Sequence, residues 1–170
     1  MRPLEKGDKV RLLEFFKRLP EEERYYLKEN VTSPAVIDGW TSNIDFEHVI
    51  PIVALVDRRI VADATLHRTR APARRQVGEL RVAVDPSHRE VGLGRRLIRE
   101  LLDISAALGL TTATFELVGQ RQEPAILAAI SMGFEKVATL KGRVRDLWVN
   151  SQDLVLLESS LKDREVWWNY

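Results

Sequence analysis

Cysteine is absent from the 170 residues, and with it go disulfide bridges, thiolate metal sites and cysteine nucleophiles. A reducing compartment suits such a chain. Long apolar runs are missing too. No stretch approaches the roughly 20 residues that cross a bilayer, and the opening MRPLEKGDKVRLLEFF has neither an uninterrupted apolar core nor a small-residue cleavage site. The expectation is a soluble cytoplasmic protein with no membrane partner. Charge of one sign is also missing: 26 basic residues face 25 acidic ones, so no global field exists to hold a polyanion and nucleic acid is not implied. The three histidines, His48, His67 and His88, share no metal-ligand spacing, and no Ser-His-Asp grouping supports hydrolysis. No metal is expected. Internal repeats and low-complexity segments are absent.

What is present is enough apolar residue, 45% of the total, for a real core, and a length that suits one domain spanning residues 1–170. The stretch Gly78–Arg99, GELRVAVDPSHREVGLGRRLIR, organises the rest. Leu80, Val82 and Val84 alternate as a half-buried strand requires, and Asp85-Pro86 stops the ladder because proline has no backbone donor. From Leu93 the apolar set becomes Leu93, Leu97, Ile98, Leu101, Leu102 and Leu108, which are helical spacings, with Arg95, Arg96, Arg99, Glu100 and Asp103 opposite. Between strand and helix lies Arg89-Glu90-Val91-Gly92-Leu93-Gly94-Arg95. The first helical turn has amides without intrahelical partners and the positive end of the helix dipole, so it attracts anions. Gly92 and Gly94 let a phosphate approach the main chain, and Arg89 and Arg95 offer forked cationic donors. The string reads as a pyrophosphate cradle. Two other readings are an ordinary turn with surface arginines and a dinucleotide loop, but the third glycine of the latter is replaced by Leu97.

In chain order, Asp8 is placed to cap a helix bearing Val10, Leu12, Leu13, Phe15, Phe16 and Leu19, which Pro20 ends. A second helix starts at Pro20-Glu21-Glu22-Glu23, and residues 31–48 read as short helix and loop. Val49–Val56 and Ile60–Leu66 form a hairpin about Asp57-Arg58-Arg59, with Pro51 marking an edge or a late start. HRTRAPARRQ is a basic loop with Arg68, Arg70, Arg74 and Arg75. After a glycine C-cap at Gly109, Thr111–Val118 returns as a strand, and a right-handed crossover sets residues 79–84 beside 112–117 in parallel. A helix over Glu123–Met132 is expected to turn Ile126, Leu127 and Ile130 inward before Gly133-Phe134. Lys136–Asp146 and Asp153–Ser160 read as a final antiparallel pair, and the tail holding Trp167, Trp168 and Tyr170 as a docking segment, on this chain or on a second copy in a homodimer. The class is α/β.

Arg89-x-x-Gly92-x-Gly94, after a strand and before an amphipathic helix, resembles the acyl-CoA-binding motif of the GCN5-related N-acetyltransferases, the GNAT family. The resemblance implies a mixed, mostly antiparallel sheet with a central parallel pair flanked by helices, with acetyl-CoA as donor substrate. It implies that Val82, Ala83 and Val84 hold the pantetheine arm, that Arg89, Glu90, Val91, Gly92, Leu93, Gly94 and Arg95 form the cofactor-binding loop, and that the amides from Val91 to Arg95 hold the pyrophosphate. The parallel strands splay, and acetyl passes directly to a primary amine. A looser similarity of FFKRLPEEERYYL to a branch acting on protein lysines leaves the acceptor as either a small amine or a protein lysine. Trp40, Asp45, Glu47 and His48 would border its pocket.

An amine with a pKa of about 10.4 must lose a proton before it attacks a thioester, and Glu79, on the strand face opposite Leu80, is the candidate base, with partial burial expected to raise its pKa. A main-chain N–H near Val82 would receive the developing oxyanion. Gln122 stands where the family has an asparagine that precedes its tyrosine, and Ala129 stands where that tyrosine, the usual proton donor to the thiolate, should be. Ser131, Tyr25 or Tyr26 could replace it, or the thiolate could leave unaided. A non-catalytic acyl-CoA-binding module and a nucleotide-binding oxidoreductase are the other function classes.

Overall fold

Alternating apolar residues build a seven-stranded sheet, and helical spacings supply a layer on each of its faces. The computed structural model describes residues 1–164, so the expected docking tail with Trp167, Trp168 and Tyr170 lies outside the described residues. The elements are β1 (Arg2–Pro3), α1 (Lys9–Arg18), α2 (Glu21–Tyr25), α3 (Pro34–Ser42), β2 (Val49–Val56), β3 (Arg59–Arg68), β4 (Val77–Val84), α4 (Leu93–Ala107), β5 (Thr112–Val118), α5 (Glu123–Ile130), β6 (Glu135–Arg145) and β7 (Ser151–Ser160). The strand order is β1-β2-β3-β4-β5-β7-β6, and every pair is antiparallel except β4 with β5. The class is the expected mixed α/β sheet with one central parallel pair.

That pair is shorter than the sequence suggests. Only Val77–Glu79 lie opposite Thr112–Thr114, whereas the expectation set residues 79–84 beside 112–117. Beyond Glu79, β4 stays with β3 as far as Val84, and beyond Thr114, β5 stays with β7 as far as Val118. Each half-sheet keeps its outer partner and follows its own twist, so a wedge opens between them. Pro51 fits its place because β1 covers only Val53 and Ile52 of β2, leaving most of that strand as an edge.

Alternation along β4 divides two cores. Leu80, with Val82 and Val84, packs under α4 against Leu97, Ile98, Leu101 and Leu102. On the other face Ala83 and Val53 meet Leu12, Phe15 and Phe16 of α1 and Ile37 of α3. Each fully buried leucine contributes roughly 1.5–3 kcal/mol relative to exposure. Three expectations fail locally. Val10 is solvent-exposed, because the core stripe of α1 is Leu12, Phe15 and Phe16. Leu127 and Ile130 also point outward. Ile126 and Ala129, one helical turn apart, are the buried side of α5.

Asp8 does not cap α1. Its carboxylate ends the preceding 3-10 turn, accepting from the Glu5 N–H at 3.0 Å, from both terminal nitrogens of Arg2 at 2.7 and 2.8 Å, and from Arg11 at 3.2 Å. Two guanidinium groups outcompete the helix amides. The Arg2 hydrogen bond, acting against burial, brings the buried Asp8 carboxyl down to about 2. Asp85 does a similar job at the end of β4. It accepts from Ser87 N–H at 3.0 Å and from Arg18 Nε at 2.7 Å, and Arg18 also donates to the Ile60 carbonyl. Burial pushes the Asp85 carboxyl up, but Ser87 and Arg18 outweigh it and hold it at about 2.

Both carboxyls are depressed in the folded state, so their stabilisation is complete above the unfolded value of 3.8 and is lost as pH falls toward about 2. Urea unfolding of Asp8→Asn should show about 2 kcal/mol less stability than the parent at pH 7. The gap should close between pH 4 and pH 2, as read from the midpoints.

Candidate active site

The wedge leads to the first turn of α4. Glu90 at φ +61° and Gly92 at φ +81° turn the chain sharply between the 3-10 turn at Pro86–His88 and the helix. The first hydrogen bond of α4 runs from the Arg96 N–H to the Gly92 carbonyl at 3.1 Å, and Gly92 has no side chain to cap with. The amides of Leu93, Gly94 and Arg95 therefore end the helix without a partner among the described residues. Left-handed backbone explains Gly92. Gly94 needs another account: a Cβ there would touch only Val84 Cγ2, at an ordinary 3.8 Å, so internal packing does not demand a glycine. Arg95 is exposed, whereas Arg89 is engaged. Its fork grips Glu23 of α2 at 2.7 and 2.6 Å, and two of its nitrogens donate to the Val84 carbonyl at 3.1 and 2.9 Å.

At its other side the wedge opens into a cleft of about 610 Å³ on the α1–α3 face of the sheet. Val82, Ala83, Phe115, Val118 and Gln122 line it from the wedge, and Phe16, Tyr25, Tyr26 and Trp40 from the helices. Its carboxyl side chains are Glu29, Asp45, Asp63, Glu79 and Glu116 against the cations Lys28 and Arg81, an excess of acid. Lys28 Nζ sits where the parallel strands part, 2.5 Å from Glu79 of β4 and 3.0 Å from Glu116 of β5. Arg81 Nε donates to Glu79 at 2.9 Å. Burial pushes the Glu79 carboxyl up, but hydrogen bonds from Arg81 and Lys28 and their charges prevail, leaving it below the usual glutamate value. The expectation of a raised value is thus corrected. Burial does act, but a strand neighbour and a residue 51 positions earlier supply cations that overcome it.

Two cleft residues escaped the sequence reading. His67, opposite Glu79 in the β3–β4 register, shares a 2.8 Å hydrogen bond with Thr65, and burial, aided by the Arg81 charge, lowers it to about 4. It is neutral at pH 7. Asp63 accepts no hydrogen bond among the described residues, and burial pushes it up to about 7. Their signal was present in VADATLHR, where Asp63, Thr65 and His67 alternate on a strand face that helices cover. Among the described residues, no three His, Cys, Asp or Glu side chains come together to hold a metal ion.

A family model described as the acetyltransferase (GNAT) family matches residues 11–134. The chain belongs to the GNAT acetyltransferase family. An N-acetyltransferase from Staphylococcus aureus Mu50 superposes with a TM-score of 0.82 at 20% identity, covering 95% of this chain and 97% of that one. A ribosomal-protein-alanine N-acetyltransferase from Brucella melitensis gives 0.79 at 21%, covering 94% and 98%. The structure of yncA from Salmonella typhimurium, solved with its cofactor acetyl-CoA, gives 0.81 at 18%, covering 96% and 94%. At these identities the likeness is one of fold. No curated protein matches the sequence.

In this acetyltransferase the residues singled out around the acceptor separate. Trp40 and Asp45 line the cleft, and Trp40 donates to Glu29 at 3.1 Å and meets Phe16 edge-on. Glu47 and His48 do not line it. His48 instead joins Asp45 and Arg70, tying down the basic loop. Gln122 accepts from the Val118 N–H at 2.7 Å, so it fixes the end of β5, and it lines the cleft. Ala129 is buried in the core. Ser131, an expected substitute for the missing tyrosine, is exposed and donates to the Ala128 carbonyl at 2.7 Å, away from the cleft. Tyr25 and Tyr26 do line it, and burial raises Tyr26, which keeps its hydroxyl protonated. No helix among the described residues is long and apolar enough to cross a membrane.

The two glycines should separate in a melting experiment. Gly92→Ala, forced into left-handed backbone, should lose about 1 kcal/mol, whereas Gly94→Ala should melt at the parent temperature or slightly above.

Proposed function

We propose that this chain is an acetyl-CoA-dependent N-acetyltransferase that passes acetyl directly to a primary amine, either of a small molecule or of a protein lysine. The observation that carries the reading is one continuous path: the unpartnered amides of α4, the wedge where β4 loses β5, and a carboxylate-rich cleft. The path fits the donor. Val91 to Arg95 would hold its diphosphate, with Gly94 leaving the room that a Cβ would fill, and Val82, Ala83 and Val84, freed from β5, would pair with its pantetheine arm. Arg89 and Glu90 shape the loop beside them, and Arg89 reaches a phosphate only by releasing Glu23. Gln122 holds the far lip of the wedge. The donor supplies an activated thioester, and the residues of this chain manage the protons around it.

Glu79 is the proposed proton acceptor during attack. An amine nitrogen that has bonded to the thioester carbon is far more acidic than a free ammonium, so an ionised carboxylate of low proton affinity suits that step. The excess of acid over base in the cleft favours a cationic acceptor. Tyr26, a protonated hydroxyl in the cleft lining, is the proposed donor to the departing thiolate. A second reading, an acyl-CoA-binding module without turnover, draws on Ala129 in place of the usual tyrosine.

Calorimetry should show acetyl-CoA binding, and thiol release should accompany amine addition. No binding would end the donor reading, and binding without release would favour the module. Gly94→Ala should weaken acetyl-CoA at least tenfold without loss of stability. Glu79→Gln should lower kcat about 100-fold with donor Kd within twofold. Lys28→Met removes a charge that favours ionised Glu79, so carboxyl NMR should show the Glu79 midpoint moved to higher pH.

A further inference from the structure

An amine acceptor arrives as an ammonium and sheds two protons before the product amide is complete. Glu79, held between Arg81 and Lys28, suits the second, from the acidic nitrogen of the adduct. It is poorly suited to the first, because its cations lower its hold on a proton. The cleft contains another carboxylate in the opposite situation.

Asp63 sits on β3 directly across from Ala83, one strand from the stretch proposed to carry the pantetheine arm and on the face of Glu79 and Arg81. Its other strand partner is Val53, and both partners belong to the apolar core under α1 and α3. Around the cleft every other charged lining side chain is partnered: Glu79 and Glu116 with Lys28, Arg81 with Glu79, Asp45 with His48 and Arg70, and Glu29 with Trp40. His67, two residues along β3, bonds Thr65 and is neutral, and Tyr26 keeps its proton. No hydrogen bond or ion pair reaches Asp63 among the described residues; α1 and α3 bring Leu12, Phe15, Phe16, Ile37 and Trp40 to the second core, and the buried hydroxyl of Thr41 donates to the Ile37 carbonyl of its own helix. Asp63 is half-buried and its oxygens are not sealed from the cleft, so a cationic ligand can reach an otherwise unpartnered carboxylate.

Resting on the acetyltransferase reading above, we propose that Asp63 takes the first proton, the one the acceptor's ammonium must shed before it can attack. The carboxylate of Asp63 pairs with R–NH3⁺ and accepts a proton, giving R–NH2 and the carboxylic acid. The amine forms the C–N bond, and the C–S bond breaks. The second nitrogen proton leaves through Glu79, one proton ends on the thiolate, and Asp63 returns its own to solvent. The sum is R–NH3⁺ plus acetyl thioester giving amide, thiol and one proton. Burial alone moves Asp63 to about 7, where a carboxylate can both accept and release a proton at working pH, and no neighbouring charge contributes to that shift.

The test uses the full chain with acetyl-CoA and two primary amines, propylamine, an ammonium at pH 7, and trifluoroethylamine, which is neutral there. Donor Kd by calorimetry is read first, so that loss of the acetyltransferase reading is seen separately. With Asp63→Asn and donor Kd unchanged, kcat/KM for propylamine at pH 7 should fall about 100-fold. For trifluoroethylamine it should stay within threefold, having no proton to strip. The parent profile for propylamine should level off above the Asp63 ionisation, while that of the variant should keep climbing tenfold per pH unit, so that the gap closes toward the pKa of the amine. Asp63→Glu should restore the plateau. Carboxyl NMR, assigned by the signal lost in Asp63→Asn, should give a midpoint near 7 in the unliganded protein. Equal losses on both amines, equal profiles, a midpoint at the ordinary carboxylate value, or no thiol release from either amine with the donor bound would each overturn the proposal.

Discussion

The early end of the β4–β5 ladder is the constraint on which the rest depends. Two parallel strands that share only three residue pairs leave the later amides and carbonyls of both strands facing each other across a gap. In a closed sheet those groups would be satisfied internally, and here they form the walls of a cleft. The gap is held open on each side: β3 follows β4 to its last residue, and β7 follows β5 to its last residue. Lys28 bridges the two strands through Glu79 and Glu116 at the point of separation, and Gln122 pins the Val118 amide at the far end. The turn after β4 then brings the start of α4 to the same end, and Asp85 ties the strand end to α1 through Arg18.

The electrostatics of the cleft follow from which carboxylates found cations. Glu79 has two and is depressed; Asp63 has none among the described residues and is raised; His67 is buried beside Arg81 and is neutral. Three polar residues on one sheet face thus differ in proton affinity through surroundings alone, and such divergence is what proton-transfer chemistry needs. Arg89 shows the converse. It stands in the motif position, yet its fork is spent on Glu23 and the Val84 carbonyl, so it stiffens the elbow between strand, α2 and loop.

Much of this was legible in local sequence. The switch from period two to helical spacing around Asp85-Pro86, the glycines of the loop and the cap at Gly109 follow from backbone chemistry acting over a few residues, and β4, α4 and β5 fall where those signals put them. The errors share a cause. Asp8 is a good cap by residue type, but Arg2 and Arg11 claimed its oxygens; Leu127 and Ile130 are apolar, but Ile126 and Ala129 face the sheet. Both are contests between neighbours, which spacing cannot decide.

Sequence alone determined the succession of elements after β1, the anion-attracting bend before α4 and the family, because each depends on residues close together along the chain. Only the tertiary structure decided where β4 and β5 part, that Lys28 reaches Glu79 and Glu116 from 51 and 88 positions away, and that Asp63 is left without a partner among the described residues. Proton affinity depends on the water, charges and hydrogen bonds within a few ångströms of a group, and folding brings those neighbours from distant parts of the chain.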